Sequence, residues 1–116
     1  MRNQELSNRT KQFALRVMRL FSALPHSDLG RVLGKQLLRS GTSVGANYRE
    51  ACRARSDAEL ISKLGIVEQE LDESIYWMEL LVDGEIVTAA RLGELMTEAD
   101  ELMKIVVTSI KTIKSR

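Results

Sequence analysis

The second half of this chain carries apolar residues at alternating intervals of four and three, and the phase never slips. Leu60, Leu64, Val67, Leu71, Ser74, Met78 and Leu81 form one such series, with only Ser74 polar. Leu92, Met96, Ala99, Met103, Val106, Ile110 and Ile113 form a second. That spacing lays one apolar stripe along an α-helix and excludes the strict alternation of a half-buried strand. Helices of about 25 residues are close to 40 Å long. A stripe with a mean repeat of 3.5 residues favours shallow crossing angles between antiparallel neighbours.

The first half reads the same way with more punctuation. Phe13, Val17, Leu20, Phe21 and Leu24 share one helical face, preceded by Leu6. Pro25 ends that helix, because the residue before a proline avoids the α region. Ser27 or Asp28 can cap the next helix, with Leu29, Val32, Leu33 and Leu37 as its apolar stripe. The segment Ser40-Gly41-Thr42-Ser43-Val44-Gly45 is ambiguous. Each glycine costs a helix about 1 kcal/mol relative to alanine, which argues for a break. Leu33, Leu37, Gly41, Val44, Tyr48 and Ala51 nevertheless hold a continuous stripe, which argues for one helix with a small-residue middle. We read it as one helix, in which Gly41 and Gly45 let a neighbouring backbone come close. Ser56-Asp57-Ala58-Glu59 is a capping box, a serine cap with a glutamate three residues on. Asp83-Gly84 marks the following turn, and Thr88 can cap the last helix. The expected architecture is all-α, an antiparallel up-down four-helix bundle in a single domain spanning 1–116, with helices at about 6–24, 28–54, 57–82 and 88–114.

Composition narrows the chemistry. A single cysteine, Cys52, cannot form an internal disulfide and suits a reducing cytoplasm. No leader-like opening is expected and no apolar run approaches the length of a membrane span, so the reading is soluble, cytoplasmic and without a membrane partner. The only histidine, His26, lies in the loop beside Pro25, which leaves no inward Glu-x-x-His pair for a bundle metal site. Cys52 has no nearby cysteine or histidine to share zinc or a proton with. Gly41 and Gly45 lack the strand and lysine context of a phosphate loop. No catalytic residue, metal or cofactor is expected, and the chain reads as a non-enzyme.

Helix 3 carries more apolar residues than one core can use. Beyond its stripe stand Ile61, Ile66, Ile75, Tyr76, Trp77 and Leu80, and from Ile75 to Val82 only Glu79 is charged. A helix apolar on most sides is covered on more than one side, and a second copy of the chain is the expected cover. Ile66, Tyr76, Trp77 and Leu80 are the expected oligomer contacts. Glu68 sits seven residues from both Ile61 and Ile75, on this apolar flank. A carboxylate there needs a partner, and Glu68 with Asn47 is the expected polar lock on helix register, with Arg39, Ser40 and Ser43 as other candidates.

Charge is distributed in blocks. The net charge is +1 overall, yet residues 1–55 hold 11 Lys and Arg against 3 Asp and Glu, while residues 56–116 hold 6 against 13. Opposite blocks can attract within an assembly or draw a polyanion. For the second reading, Arg9, Arg16, Arg39, Arg49, Arg53 and Arg55 are the expected contacts to RNA or DNA, with Lys11, Arg19, Arg31 and Lys35 on the same two helices.

Three runs resemble one family. They are Gln36-Leu37-Leu38-Arg39-Ser40-Gly41-Thr42-Ser43-Val44-Gly45-Ala46-Asn47-Tyr48-Arg49-Glu50-Ala51, then Arg53-Ala54-Arg55-Ser56 followed by Leu60-Ile61-Ser62-Lys63-Leu64-Gly65, and Glu73-Ser74-Ile75-Tyr76-Trp77-Met78-Glu79-Leu80-Leu81. In this order they are similar to four-helix bundle proteins related to the 23S rRNA intervening-sequence protein, also labelled S23 ribosomal protein. The resemblance implies an up-down bundle, homopentameric rings, and no carried-over catalytic residues or cofactors. A related bundle, the accessory variability determinant of diversity-generating retroelements, works with a reverse transcriptase and nucleic acid. Two functions stand open at this point: a structural or adaptor oligomer meeting a protein partner, and an RNA- or DNA-binding accessory module using the basic face of helices 1 and 2.

Overall fold

The computed structural model describes residues 3–116, which form four helices: α1 (Gln4–Ala23), α2 (Asp28–Cys52), α3 (Asp57–Asp83) and α4 (Ala89–Lys114). Each start is capped by a side-chain oxygen that accepts one of the first turn's unpaired N–H groups. Asn3, Ser27, Ser56 and Thr88 accept from Leu6, Gly30, Glu59 and Arg91 respectively. At Ser56 the glutamate of the box reaches one residue past the cap, where Glu59 Oε2 accepts from the Arg55 N–H at 3.3 Å. The end of α1 obeys the proline rule: Leu24 is extended, with ψ 150°.

The turn after α3 is where Asp83-Gly84 predicts it, but the left-handed residue is Glu85, with φ 59°. Glu85 N–H donates to the Val82 carbonyl and Ile86 N–H to that of Leu81, both at 2.9 Å. This pair of bonds is a Schellman termination.

Successive helices pack on one another and α4 returns to α1, while the diagonal pairs stay apart. The result is an antiparallel bundle of 47 × 20 × 19 Å. Among the four neighbouring pairs, α1 and α4 approach least.

One core of Leu, Val, Phe, Met and Tyr side chains runs the length of the bundle. The α3 stripe is buried at every position expected, Leu60 through Leu81. On α4 the heptad partners differ. Leu92, Ala99, Val106 and Ile113 point inward as expected, but Leu95 and Leu102 complete the buried face in place of Met96 and Met103, which are half-buried on its flank.

Helix α2 runs unbroken through its glycines. A Cβ on Gly41 would lie 2.9 Å from Val17 Cγ2, and one on Gly45 would lie 3.4 Å from the Thr10 backbone. The small middle of α2 therefore admits α1, as the phase argument expects. The start of α2 departs from the sequence reading, because Gly30, Gly34, Leu37 and Gly41 face inward while Leu29 and Val32 are 57% and 59% exposed. Phe21 and Leu24 of the preceding segment occupy the space beside Gly34, so the inward position there has no room for a side chain.

Candidate functional site

The α2–α3 seam holds a polar lock built from different residues than expected. Ser40 and Ser74 are both fully buried, with hydroxyl oxygens 2.9 Å apart. Ser74 Oγ also lies 2.9 Å from the Glu70 carbonyl oxygen, so both hydroxyls are satisfied in the core. At the rim, Arg39 donates to Glu70 Oε2 at 3.2 Å and to Glu73 Oε1 at 3.0 Å. Glu70 is thus a buried partner in this seam. A hydrogen bond with the neighbouring Glu70 carboxyl, then burial and the Glu70 charge, hold the Glu73 carboxyl above its usual range, and the Arg39 guanidinium only partly offsets them.

Glu68 and Asn47 do not meet. Asn47 Nδ2 donates to the Ser43 carbonyl of its own helix at 2.8 Å, and among the described residues Glu68 makes no ion pair or side-chain hydrogen bond. Glu68 follows Val67 on the α4 side of α3, away from α2, whereas Glu70 and Glu73 lie on the side that faces Arg39. Two of the α2 residues considered as partners of Glu68, Arg39 and Ser40, instead contact Glu70, Glu73 and Ser74.

Outside this seam lies an exposed apolar patch. Tyr76 is 53% and Ile66 37% exposed, while Trp77 and Leu80 are half-buried, Trp77 against the core. The Tyr76 and Trp77 rings meet edge to face with centroids 5.2 Å apart, a favoured aromatic geometry. The Trp77 Nε1–H is buried without an acceptor. Ser40 against Ser74, together with Lys63 Nζ 3.0 Å from Glu50 Oε1, shows the antiparallel register of α2 and α3. That register puts Leu29 and Val32, two to three turns before Ser40, alongside the end of α3 where Leu80 lies. Exposed apolar side chains therefore stand on both α2 and α3. The signal was present in the sequence: Gly30, Gly34, Leu37 and Gly41 are themselves spaced four, three and four.

The basic residues do not form one face. Arg9 is committed to α4, with NH2 2.6 Å from Glu98 Oε1 and 3.0 Å from Glu101 Oε2. Its hydrogen bond holds the Glu98 carboxyl below the usual carboxylate range. Arg39 is committed to α3, as above. Arg16 lines a groove with Glu94, Glu98 and Glu101. Arg53 and Arg55 border a shallow groove that also contains Glu50, Glu59 and Lys63. Arg49 and Arg53 border another, between the start of α1 and the end of α2, together with Lys11 and polar residues of α1.

Beneath this last groove, Tyr48 is fully buried. Its hydroxyl lies against Cys52 and near the Asn3 backbone, yet no hydrogen bond of good geometry satisfies it. Burial, more than these neighbours, pushes its ionisation well above the usual tyrosine range. Among the described residues no cluster of His, Cys, Asp and Glu is arranged to hold a metal ion, and no helix is long and apolar enough to cross a membrane. His26 is exposed in the α1–α2 connection.

Residues 2–108 match the model of the 23S rRNA-intervening sequence protein family. Among curated proteins none matches. A crystal structure of a protein of unknown function from the S23 ribosomal protein family of Bacteroides thetaiotaomicron VPI-5482 superposes with a TM-score of 0.86. It is 38% identical, and the match covers 91% of this chain and 98% of that one.

Proposed function

Because this chain belongs to the 23S rRNA-intervening sequence protein family, we propose that it is a non-enzymatic scaffold that assembles with copies of itself through the outer α2–α3 face. The observation that carries this reading is the patch of Leu29, Val32 and Tyr76, each more than half exposed. Exposed apolar side chains gathered on one face cost free energy in water and are the usual mark of an association surface. Closure of five subunits into a ring is the form that the family resemblance favours, and a ring requires two different faces on each subunit. The assembled ring would act as an adaptor, presenting its remaining surfaces to a protein partner.

Light scattering coupled to gel filtration tests the assembly. The wild-type chain is expected to run as an oligomer, with native mass spectrometry reading five copies. Val32→Asp and Tyr76→Asp, at exposed positions, are expected to give folded monomers. A wild-type monomer at micromolar concentration removes this reading. Trp77→Ala is a poorer probe, since Trp77 also packs against the subunit core.

The alternative, one basic face over α1 and α2 for RNA or DNA, loses much of its support because Arg9 and Arg39 are held by carboxylates of α4 and α3.

A further inference from the structure

Cys52, the only cysteine of the chain, stands half-buried as the last residue of α2. It lines a cleft of about 460 Å³ between the start of α1 and the end of α2. The cations of that cleft are Lys11, Arg49 and Arg53, and no carboxylate lines it. Arg9, Arg39, Lys63 and Arg116 have carboxylate partners within ion-pair distance, whereas these three have none among the described residues. Glu50, the nearest acid in sequence to Arg49, is held by Lys63 Nζ at 3.0 Å. From the core side, one helical turn before Cys52, the fully buried Tyr48 brings its hydroxyl against the Cys52 side chain but makes no hydrogen bond of good geometry. A buried donor without an acceptor is unfavourable, and a sulfur that turns negative in front of it supplies the missing acceptor.

We propose that Cys52 is a thiol–disulfide exchange site for small anionic disulfides, with Lys11, Arg49 and Arg53 drawing in the reagent's carboxylates and Tyr48 holding the sulfur. The size of the cleft suits a small organic molecule. Guanidinium groups pair with carboxylates through two parallel hydrogen bonds, and Gln4, Ser7 and Asn8 offer partners for amide groups. Like charges around a cleft with no counter-charge raise the local concentration of an anion. The Cys52 thiol gives up its proton, and Sγ as the thiolate attacks one sulfur of the disulfide. A bond forms between Sγ and that sulfur while the reagent's own S–S bond breaks. The other sulfur leaves with the electron pair and takes up a proton. Cys52 is oxidised and the departing half is reduced, so no further oxidant enters. The chain has no second cysteine, so the mixed disulfide cannot collapse into an internal one, and an outside thiol reverses it. This site uses none of Leu29, Val32 and Tyr76, and stands independently of the assembly reading.

The test is mass spectrometry of the intact chain, acid-quenched at intervals after addition of oxidised glutathione or of cystamine, two disulfides of opposite net charge. Each rate is divided by that of a small uncharged thiol with the same reagent, which removes the reagent's own reactivity. On that scale wild type is expected to take up one glutathionyl group about tenfold faster than one cystamine half, an advantage that shrinks as salt rises. Arg49→Gln with Arg53→Gln is expected to bring the ratio close to one. Arg31→Gln with Lys35→Gln, exposed positions on α2 outside the cleft, is expected to leave it unchanged. Tyr48→Phe is expected to slow both reagents alike and keep the ratio, with a thermal melt no lower than wild type. No adduct on wild type, or equal scaled rates for the two disulfides, overturns the proposal. An equal fall of the ratio in the Arg31, Lys35 control also overturns it, in favour of the overall charge of the helix. Reaction of Tyr48→Phe at the wild-type rate overturns the role given to Tyr48.

Discussion

Tyr48 concentrates the energetics that operate at the scale of one residue. Its ring fills the core between α1 and α2, and its hydroxyl is buried without a satisfying hydrogen bond. A buried polar group left unpaired costs about 1–3 kcal/mol. Tyr48→Phe keeps the ring and removes that cost, so urea unfolding should show a gain of about 1 kcal/mol. A loss of that size would mean that the hydroxyl is well bonded in solution. The sign of the pH effect follows from the raised ionisation. The unfolded tyrosine releases its proton near 10.0 and the folded one only above that. Above pH 10 the native state therefore binds more protons than the unfolded state, and stability falls by up to about 1.4 kcal/mol per pH unit. Below pH 10 the group contributes no pH dependence. The Phe variant should lack this alkaline component, which denaturant titrations at pH 9, 10 and 11 would read.

Along a helix, what matters is which positions may be small and why. Gly41 and Gly65 both sit inside long helices, where each costs about 1 kcal/mol against alanine. Gly41 faces Val17, whose two methyl carbons would lie 2.9 and 3.0 Å from an added Cβ. Valine is β-branched and has little rotamer freedom to retreat, so α1 itself must move. Gly41→Ala should lose about 1–2 kcal/mol net, since overpacking of about 1–3 kcal/mol outweighs the helix gain. A Cβ on Gly65 meets nothing within 4 Å. Gly65→Ala should gain up to about 1 kcal/mol. Thermal melts of the two variants side by side check the contrast, and similar shifts for both would contradict the packing described at Gly41. The continuity of α2 was legible in advance because the stripe never loses phase. The rotation of its first turns was not, since Leu29 and Val32 also fit an inward face until Phe21 and Leu24 are seen to occupy it.

Across the whole molecule, the opposite charge blocks are partly neutralised within the chain. Arg39 joins α2 to α3, and Arg9 joins α1 to α4 across the pair of neighbouring helices that approach least. The Arg9 guanidinium lowers the Glu98 ionisation below 4.5 in the folded state. The stability from this pair is present above pH 4.5 and is lost as the pH falls through the lowered folded value. Both side chains are partly exposed, at 29% and 18%, so the contribution is up to about 1 kcal/mol. Arg9→Met should lose about that much at pH 7 and nothing at pH 2. A hydrogen-exchange comparison should place the loss in α1 and α4 at neutral pH. Equal destabilisation at both pH values would assign the effect of Arg9 to packing.

The number of helices, the capped starts of α2, α3 and α4, the proline stop after α1 and the buried stripe of α3 were legible in the residues alone. Those features depend on residues close together in the chain, where periodicity and backbone chemistry act locally. Tertiary structure decided which flank of α4 turns inward, that Glu70 and not Glu68 meets Arg39, and that Lys11, Arg49 and Arg53 share a cleft without a carboxylate. Each of these depends on how one helix is rotated and slid against another. A helix rotated by a fraction of a turn keeps its hydrophobic spacing but changes the partner of every polar residue at its edge. The register across the α2–α3 seam, seen where Ser40 meets Ser74, therefore fixed the polar partners that the repeat alone left open.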